Sequence, residues 1–595
     1  MIRRGWPLWL IALALLCRLV FFVELRDAPT YEHPEGGDSI LYDKVAAGEP
    51  EPPRAYFHSP LYQWFLGGMY QLFGRELTLV RAVQHLAGCL MVLLVWATAR
   101  ELHGSRVIAG IAGAAAAVCG PIIFFEGQLL VDALMPLLVA AVPAAALLHA
   151  RRPRTATAVA LGLTVALAAL GRGVALIWAP LLLVWLWRGG GPVLRQPRHA
   201  LAFSAALALA IAPVTLRNYV VEGELVAITA NGGLNLYIGN HEHATGAYVL
   251  PAGLWFEPGD PTDDYAGFTA ATADLGHRPS SAELSSWWSQ KALRYIAEHP
   301  TRTLALAATK LKLLVNDHEY PQLYNYDGYA AICSVLRVLP GAGWLIVPGL
   351  VGLGLALWRR RRGHERLLAG IALLYAASFL PFFVVDRYRC AWLPLLAPFA
   401  AAALVELFRA CRDRRWTSVV VLGAAMTVSA GAAFAPIDGP TPAAQYFAFG
   451  EAELAAGDPR AALAWYQRAA EAEPDQPRVL ANLGVTLAHL DRPLEAEASL
   501  RRAAELWPGS DRVQNDLGLV YLRLGRAAEA ERAFRTAIQL NPGLGEAYAN
   551  LGDLLLKRGD SSRAADAFRS ALLLIPRGSP AEAAISARLA SLTGS

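Results

Sequence analysis

The chain has 595 residues, 55% of them hydrophobic and only 17% charged, with a mean hydropathy of +0.34. Soluble globular chains carry about 25% charged residues, so the composition excludes a purely cytosolic enzyme and a disordered chain. A net charge of +4 is too small to point to nucleic acid, and the six cysteines form no CxxC pair; most lie in apolar stretches and read as small buried hydrophobes.

A bilayer-crossing helix needs about 20 apolar residues. Runs approaching or reaching that length fall roughly at 6–25, 76–99, 107–125, 129–149, 155–171, 173–188, 200–217, 331–358, 367–385, 390–408 and 417–436, which predicts an all-α membrane bundle of about eleven spans. The first run follows Arg3 and Arg4 as a signal peptide would. No A-x-A site follows it and Arg18 interrupts it, so a retained helix is expected.

Lys/Arg bias sets the orientation. Arg100 and Arg106, Arg151 to Arg154, Arg188, Arg195 and Arg198, Arg359 to Arg362, and Arg409 to Arg415 alternate with acidic loops. The basic set is expected in the cytoplasm. The acidic loops 27–75 and 218–330 are expected outside, together with the C-terminus. Residues 303–316 are apolar, but a crossing there would turn Arg359–Arg362 outward, so that stretch is expected to lie on the outer surface.

After residue 440 the sequence repeats with a period of 34. Gly450, Gly484, Gly518 and Gly552 keep this spacing, as do Ala469, Ala503, Ala537 and Ala571, and Pro474, Pro508, Pro542 and Pro576. Tyr466, Leu500, Phe534 and Phe568 hold the same register. This looks like four tetratricopeptide repeats, at about 443–476, 477–510, 511–544 and 545–578, within a domain 441–595 that follows a membrane domain 1–436. Such an array makes a curved superhelix whose concave face binds an extended segment, or else a spacer without a ligand. Asn482, Asp516 and Asn550 recur at 34 on that face and suit hydrogen bonding to a bound backbone.

Few charges fall inside the apolar runs, which argues against a proton or ion relay and against a transporter. Polar and aromatic residues collect in the outer loops. The first loop carries Gly36-Gly37-Asp38-Ser39-Ile40-Leu41-Tyr42-Asp43, then Tyr56-Phe57-His58-Ser59-Pro60-Leu61-Tyr62. Asp38 fits a helix N-cap after the glycines, with Tyr42 one turn on along the same face. His58 is a candidate ligand for a divalent cation, or a structural residue. Asp132 either orients a substrate or metal or pairs with an arginine of another helix; Glu126 stands close by. Trp255, Phe256, Trp287 and Trp288 suit either stacking on sugar faces or an aromatic belt.

The order of these elements resembles the GT-C superfamily of membrane glycosyltransferases, and within it the protein O-mannosyltransferases and aminoarabinose lipid A transferases. The resemblance covers roughly residues 1–435. It rests on one helix, a large outer loop with an early Asp, and an aromatic-x-x-Pro-x-Tyr element before the next helix. Glu126 with Asp132, Arg217-Asn218-Tyr219, Asn231 to Asn235 with Gly239-Asn240, and Asp386-Arg387-Tyr388-Arg389 add to it. His58-Ser59 replace the Glu-Lys pair of the lipid A branch, and Ser39 replaces the second acid of the eukaryotic mannosyltransferases.

The resemblance implies that Asp38 is the catalytic base and that a sugar linked to a polyprenyl phosphate is the donor. Phosphate is already a good leaving group, so the reaction needs one base for the acceptor hydroxyl and cations for the phosphate. Arginine forks match phosphate oxygens. Arg387 and Arg389 fall at the outer surface against the positive-inside bias, and Arg217 and Arg172 fall at outer helix ends. Arg387, Arg389 and Arg217 are therefore the expected phosphate ligands; the alternatives are a salt bridge to Asp386 and, for Arg172, a turn cap. Tyr42, His58, Glu126, Asp132, Tyr388 and Asn240 are the expected substrate contacts.

The expected protein is an inner-membrane glycosyltransferase of a bacterium, working on the extracytoplasmic face. Its acceptor is a hydroxyl of a protein, lipid or glycan, and the repeats recruit that acceptor or an assembly partner. A divalent metal is possible and its ligands are unknown. The rival from another class is a non-catalytic membrane scaffold that acts through its repeats.

Overall fold

The computed structural model describes residues 7–32, 34, 37–49, 54–188, 197–251, 267–358, 363–437 and 439–593. Gly36, Glu51, Arg195, Trp255, Phe256 and Arg359–Arg362 lie outside the described residues. Among those described, every regular element is helical and there is no strand. The chain divides into two compact units, Met1–Pro440 and Thr441–Ser595.

All eleven apolar runs contain helix. Five helices are long and apolar enough to cross a membrane: Leu8–Leu25, Leu77–His103, Pro197–Glu222, Leu393–Arg412 and Trp416–Ala433. A sixth crossing forms if Arg106–Ala117 and Gly120–Glu126, bent by 53° at their junction, count as one span. The bend has a local cause. Pro121 has no N–H to continue a ladder and disfavours helix in the residue before it, and the Gly120 N–H turns to the Pro340 carbonyl at 3.0 Å. Met135–Arg151, Thr155–Gly171, Gly173–Trp187 and Gly343–Trp358 are apolar but only 10–17 residues long. Apolar run length overestimated helix length in these places: Pro340-Gly341 delays the helix that starts at Gly343, and a 3-10 turn at Val131–Ala133 delays the one that starts at Met135.

Small residues let the long helices approach closely, as helix pairs in a bilayer require. A Cβ at Gly349 would stand 3.0 Å from the Cβ of Leu396, and one at Gly88 would enter the space of the Glu126 carboxylate. That carboxylate explains the interrupted first run: Arg18 is buried and its Nε lies 2.7 Å from Glu126 Oε2.

The expected outer segments fold into short helices that pack on one another. Helix Gly37–Ala46 docks on helix Pro60–Phe73. Tyr70 donates to Asp43 at 2.6 Å, Arg75 clasps the same carboxylate at 2.8 and 2.9 Å, and the Tyr42 ring meets the Tyr62 ring edge to face. In the second segment Leu234, Ile238, Phe268, Leu284, Trp287 and Trp288 form a core with Phe383 and Val385. Trp287 and Trp288 are thus buried packing residues, which corrects their reading as sugar-stacking or belt residues. Gly239 sits against the Phe382 carbonyl, where a Cβ has no room, and the Val384 N–H bonds to the Gly246 carbonyl at 2.9 Å. The second segment therefore carries the strip 382–385 that leads into Arg387.

The second unit stacks four helix pairs, from Ala443–Ala455 with Pro459–Ala472 to Gly545–Lys557 with Ser561–Leu574, and ends in Pro580–Thr593. The recurring glycine is a contact requirement. A Cβ at Gly450 would stand 2.6 Å from the Tyr466 ring, and one at Gly552 2.6 Å from that of Phe568. The turn between the two helices also recurs: Gly457, Gly525 and Gly559 have φ of +84°, +74° and +81°, and Asp491 takes the same place in the second repeat at +58°.

Candidate functional site

Asp38 lies in the first turn of helix Gly37–Ala46 and is only 7% exposed. Three contacts fix that helix: Tyr324 donates to Ser39 at 2.9 Å, Asp43 is held as above, and Tyr42 packs on Tyr62. The Asp38 side chain does not cap the helix, as the sequence suggested. Its Oδ2 accepts from Arg387 Nη1 at 2.5 Å, and its Oδ1 lies 3.8 Å from His58 Nδ1. Burial pushes this carboxyl up, but Arg387, His58 and Arg172 together outweigh burial and bring it down to about 2. Burial pushes His58 down, against the pull of Asp38. The Tyr42 phenol is pushed up by burial and by the Asp38 charge.

Arg387 is 4% exposed. Its Nε donates to Gln322 at 2.9 Å, and its guanidinium lies 5.0 Å from the Tyr388 ring centre. Arg172 stacks on the Tyr388 ring at 3.7 Å and pairs with Asp132 through Nε at 3.1 Å. Asp38, Arg387, Tyr388, Arg172 and Asp132 thus form one polar chain, buried at Asp38, Arg387 and Asp132 and half-buried at Tyr388 and Arg172. A cavity of about 490 Å³ opens beside it. Its lining mixes polar residues, among them Ser59, Arg172, Asn231 and Tyr388, with apolar ones, among them Ile177, Phe379, Phe382 and Phe383; Arg172 and Tyr388 are the members of the polar chain that line it. A larger groove of about 1040 Å³ lies between helices Trp178–Trp187 and Pro197–Glu222, beside Arg188 and Arg198, and has no acid in its lining.

The remaining expected residues take other places. Arg389 does not join Asp38, nor does it pair with Asp386. Its Nη2 meets Glu319 at 2.7 Å, and its other donors go to the carbonyls of Leu313, Asn316 and His318. With Nη1 and Nη2 both engaged by the protein and 2% exposure, Arg389 is a brace. Arg217 lies over the Tyr56 ring at 4.1 Å and donates to the Arg54 carbonyl, tying down the first outer segment. Glu126 is fully buried between Arg18 and His85 and faces no cavity. Asn240 donates to the carbonyls of Leu236 and Pro381 at 2.8 and 2.6 Å, so it clamps the strip 380–383 rather than facing substrate. Burial pushes Asp386 well above the usual carboxylate range, and Glu319 adds to this.

Gln322 and Tyr324 were missed because they fall in an aperiodic stretch; its run of tyrosines was the available signal. Among the described residues no group of three or more His, Cys, Asp or Glu is placed to hold a metal ion. At Asp38 the place of a cation is taken by the Arg387 guanidinium. In the repeats, Asn482 bonds to the Arg478 carbonyl of its own helix at 3.1 Å, and Asn550 donates to Asn515 at 2.9 Å. Burial and then Glu546 push Asp516 up to about 6.

Comparison with known proteins agrees with this division. Residues 57–216 match the family described as dolichyl-phosphate-mannose-protein mannosyltransferase. Residues 475–542 and 515–583 match tetratricopeptide-repeat families. No curated protein is significantly similar to the chain. Among solved structures, MamA is 24% identical over 22% of this chain and 77% of its own, with a TM-score of 0.21. PilF of Pseudomonas aeruginosa is 22% identical over 32% and 83%, with a TM-score of 0.24. YrrB, a tetratricopeptide-repeat protein with an unusual peptide-binding site, is 18% identical over 29% and 84%, with a TM-score of 0.21. The chain therefore joins, in one polypeptide, a region matching the dolichyl-phosphate-mannose-protein mannosyltransferase family, of GT-C type, to an array of tetratricopeptide repeats.

Proposed function

We propose that the membrane unit transfers one sugar from a polyprenyl-phosphate donor to a hydroxyl acceptor on the extracytoplasmic face of a bacterial inner membrane. The observation that carries this reading is the buried Asp38–Arg387 pair, joined through Tyr388 and Arg172 to a cavity of mixed polar and aromatic lining. A carboxylate and a guanidinium are what the reaction needs: a base for the hydroxyl and a cation for the departing phosphate. The mixed lining suits an amphiphile, with the phosphate near Arg172 and the prenyl chain among the phenylalanines. Arg387 holds the phosphate. Arg172, across the Tyr388 ring, is a better second cation than Arg389 or Arg217, which are spent on backbone carbonyls and, for Arg389, Glu319. The repeats recruit the acceptor protein or an assembly partner through their concave face.

The test is Asp38→Asn in the full chain, assayed in membranes supplied with a polyprenyl-phosphate sugar. Loss of a general base lowers turnover per folded molecule by about 100-fold or more, beyond any loss of stability from leaving Arg387 unpaired. A well-expressed Asp38→Asn protein that turns over normally would support the scaffold reading instead.

A further inference from the structure

Two cations flank the Tyr388 ring, and each is held by an acid: Arg172 by Asp132, and Arg387 by Asp38. The two pairs differ in what they leave behind. Asp132 is fully buried and bonds Arg172, whereas Asp38 also lies 3.8 Å from His58 and sits on a short helix of the first outer segment. Arg387 Nη1 is taken by Asp38 at 2.5 Å and its Nε by Gln322. A phosphate approaching Arg387 therefore competes with Asp38 for Nη1 and for the positive charge. For the same reason Asp38 cannot take a proton well while its Oδ2 is bonded to a guanidinium, because that partner favours the charged form.

From this arrangement, and resting on the donor reading above, we infer that Asp38 occupies the donor-phosphate position on Arg387 in the empty enzyme, and that donor binding displaces it. Displacement frees Asp38 to act on the acceptor, so the donor binds before the acceptor can react. The step balances. The acceptor O–H gives its proton to Asp38, its oxygen bonds to the anomeric carbon, and the bond from that carbon to the phosphate oxygen breaks. The electron pair leaves with the phosphate, which Arg387 retains. The carboxyl held down to about 2 beside Arg387 agrees with this order, since such a group is a weak base until its cation is taken away. An unloaded enzyme thus keeps its base neutralised.

The inference predicts an effect opposite to that of an ordinary binding-site lesion. Asp38→Asn removes the competitor and leaves Arg387 without its counter-charge. The variant should bind polyprenyl phosphate about tenfold or more tightly than the unmodified chain, while failing to transfer sugar. Arg387→Gln in the Asp38→Asn background should abolish that gain. Direct titration with undecaprenyl phosphate in nanodiscs reads both. Unchanged or weaker binding by a folded Asp38→Asn protein would overturn the displacement. A second measurement needs no variant: with 13C-labelled aspartate, the infrared difference spectrum on adding undecaprenyl phosphate should show a carboxylate losing its guanidinium partner. A flat carboxylate region would overturn the inference while leaving the donor reading intact. If the unmodified chain binds no polyprenyl phosphate at all, the donor reading fails, and the displacement with it.

Discussion

At the scale of single residues, the two arginines of Asp386-Arg387-Tyr388-Arg389 separate cleanly. Both are buried, but Arg387 faces Asp38 and Arg389 faces Glu319 and three carbonyls. Removing one partner of a buried ion pair costs about 3–5 kcal/mol. Arg389→Ala should therefore lower membrane levels and melting temperature, with the surviving fraction still binding polyprenyl phosphate. Arg387→Gln should instead abolish that binding. Thermal unfolding in detergent beside lipid titration distinguishes the two. Asp516 offers a pH test. Its folded pKa lies above the usual carboxylate value of about 4, so the folded array holds this proton more firmly than the unfolded chain. Stability should then fall as pH rises from about 4 to about 6. Melting the isolated repeats across that window should show a dependence that Asp516→Asn reduces. The sequence marked Asp38 and Arg387 as separate candidates through order and topology. It could not reveal that they touch, because 349 residues separate them. His58 looked like a histidine without a carboxylate partner for a related reason: Asp38 meets it only once helix Gly37–Ala46 has docked.

At the scale of elements, the periodic parts were legible and the aperiodic ones were not. The register at 34 gave the repeats, because each glycine there answers to a ring on the facing helix. The span boundaries were less readable, since hydropathy does not register the prolines and short 3-10 turns that shorten helices inside an apolar run. One feature of the repeat register was overlooked in the sequence, namely the left-handed turn at 457, 491, 525 and 559. Only Asp491 pays the Cβ penalty there. Replacing it with glycine should stabilise the array by about 0.5–1 kcal/mol, seen as a rise in the urea midpoint of the isolated repeats. A rise of comparable size from glycine at an ordinary helical position would refute this cause. Between helices of the membrane unit, Arg18→Leu should sharply reduce the folded protein because Glu126 loses its partner. Arg18→Leu with Glu126→Met should recover it, as replacing both members of a buried pair often does. Fluorescence size-exclusion of solubilised membranes reads this.

At the scale of the whole molecule, the two units have separate cores and separate tasks. Deleting 441–595 should leave polyprenyl-phosphate affinity unchanged, because every group proposed to touch the phosphate lies in the first unit. Loss should fall on large acceptors, with a short soluble acceptor spared. The repeat unit should fold alone, since four repeats exceed the three or so needed for a continuous core; far-ultraviolet circular dichroism of 441–595 checks it. The Arg18–Glu126 pair bears on how the membrane unit is made. Arginine in mid-helix opposes insertion by about 3 kcal/mol, and its counter-charge is 108 residues further along the chain. When helix Leu8–Leu25 leaves the ribosome, its partner has not yet been synthesised. The leucines and phenylalanines of the first helix offset that cost, and Arg18 gains its counter-charge only when helices Leu77–His103 and Gly120–Glu126 arrive with His85 and Glu126. The charge that interrupts this apolar run thus makes the packing of helix Leu8–Leu25 depend on segments translated after it.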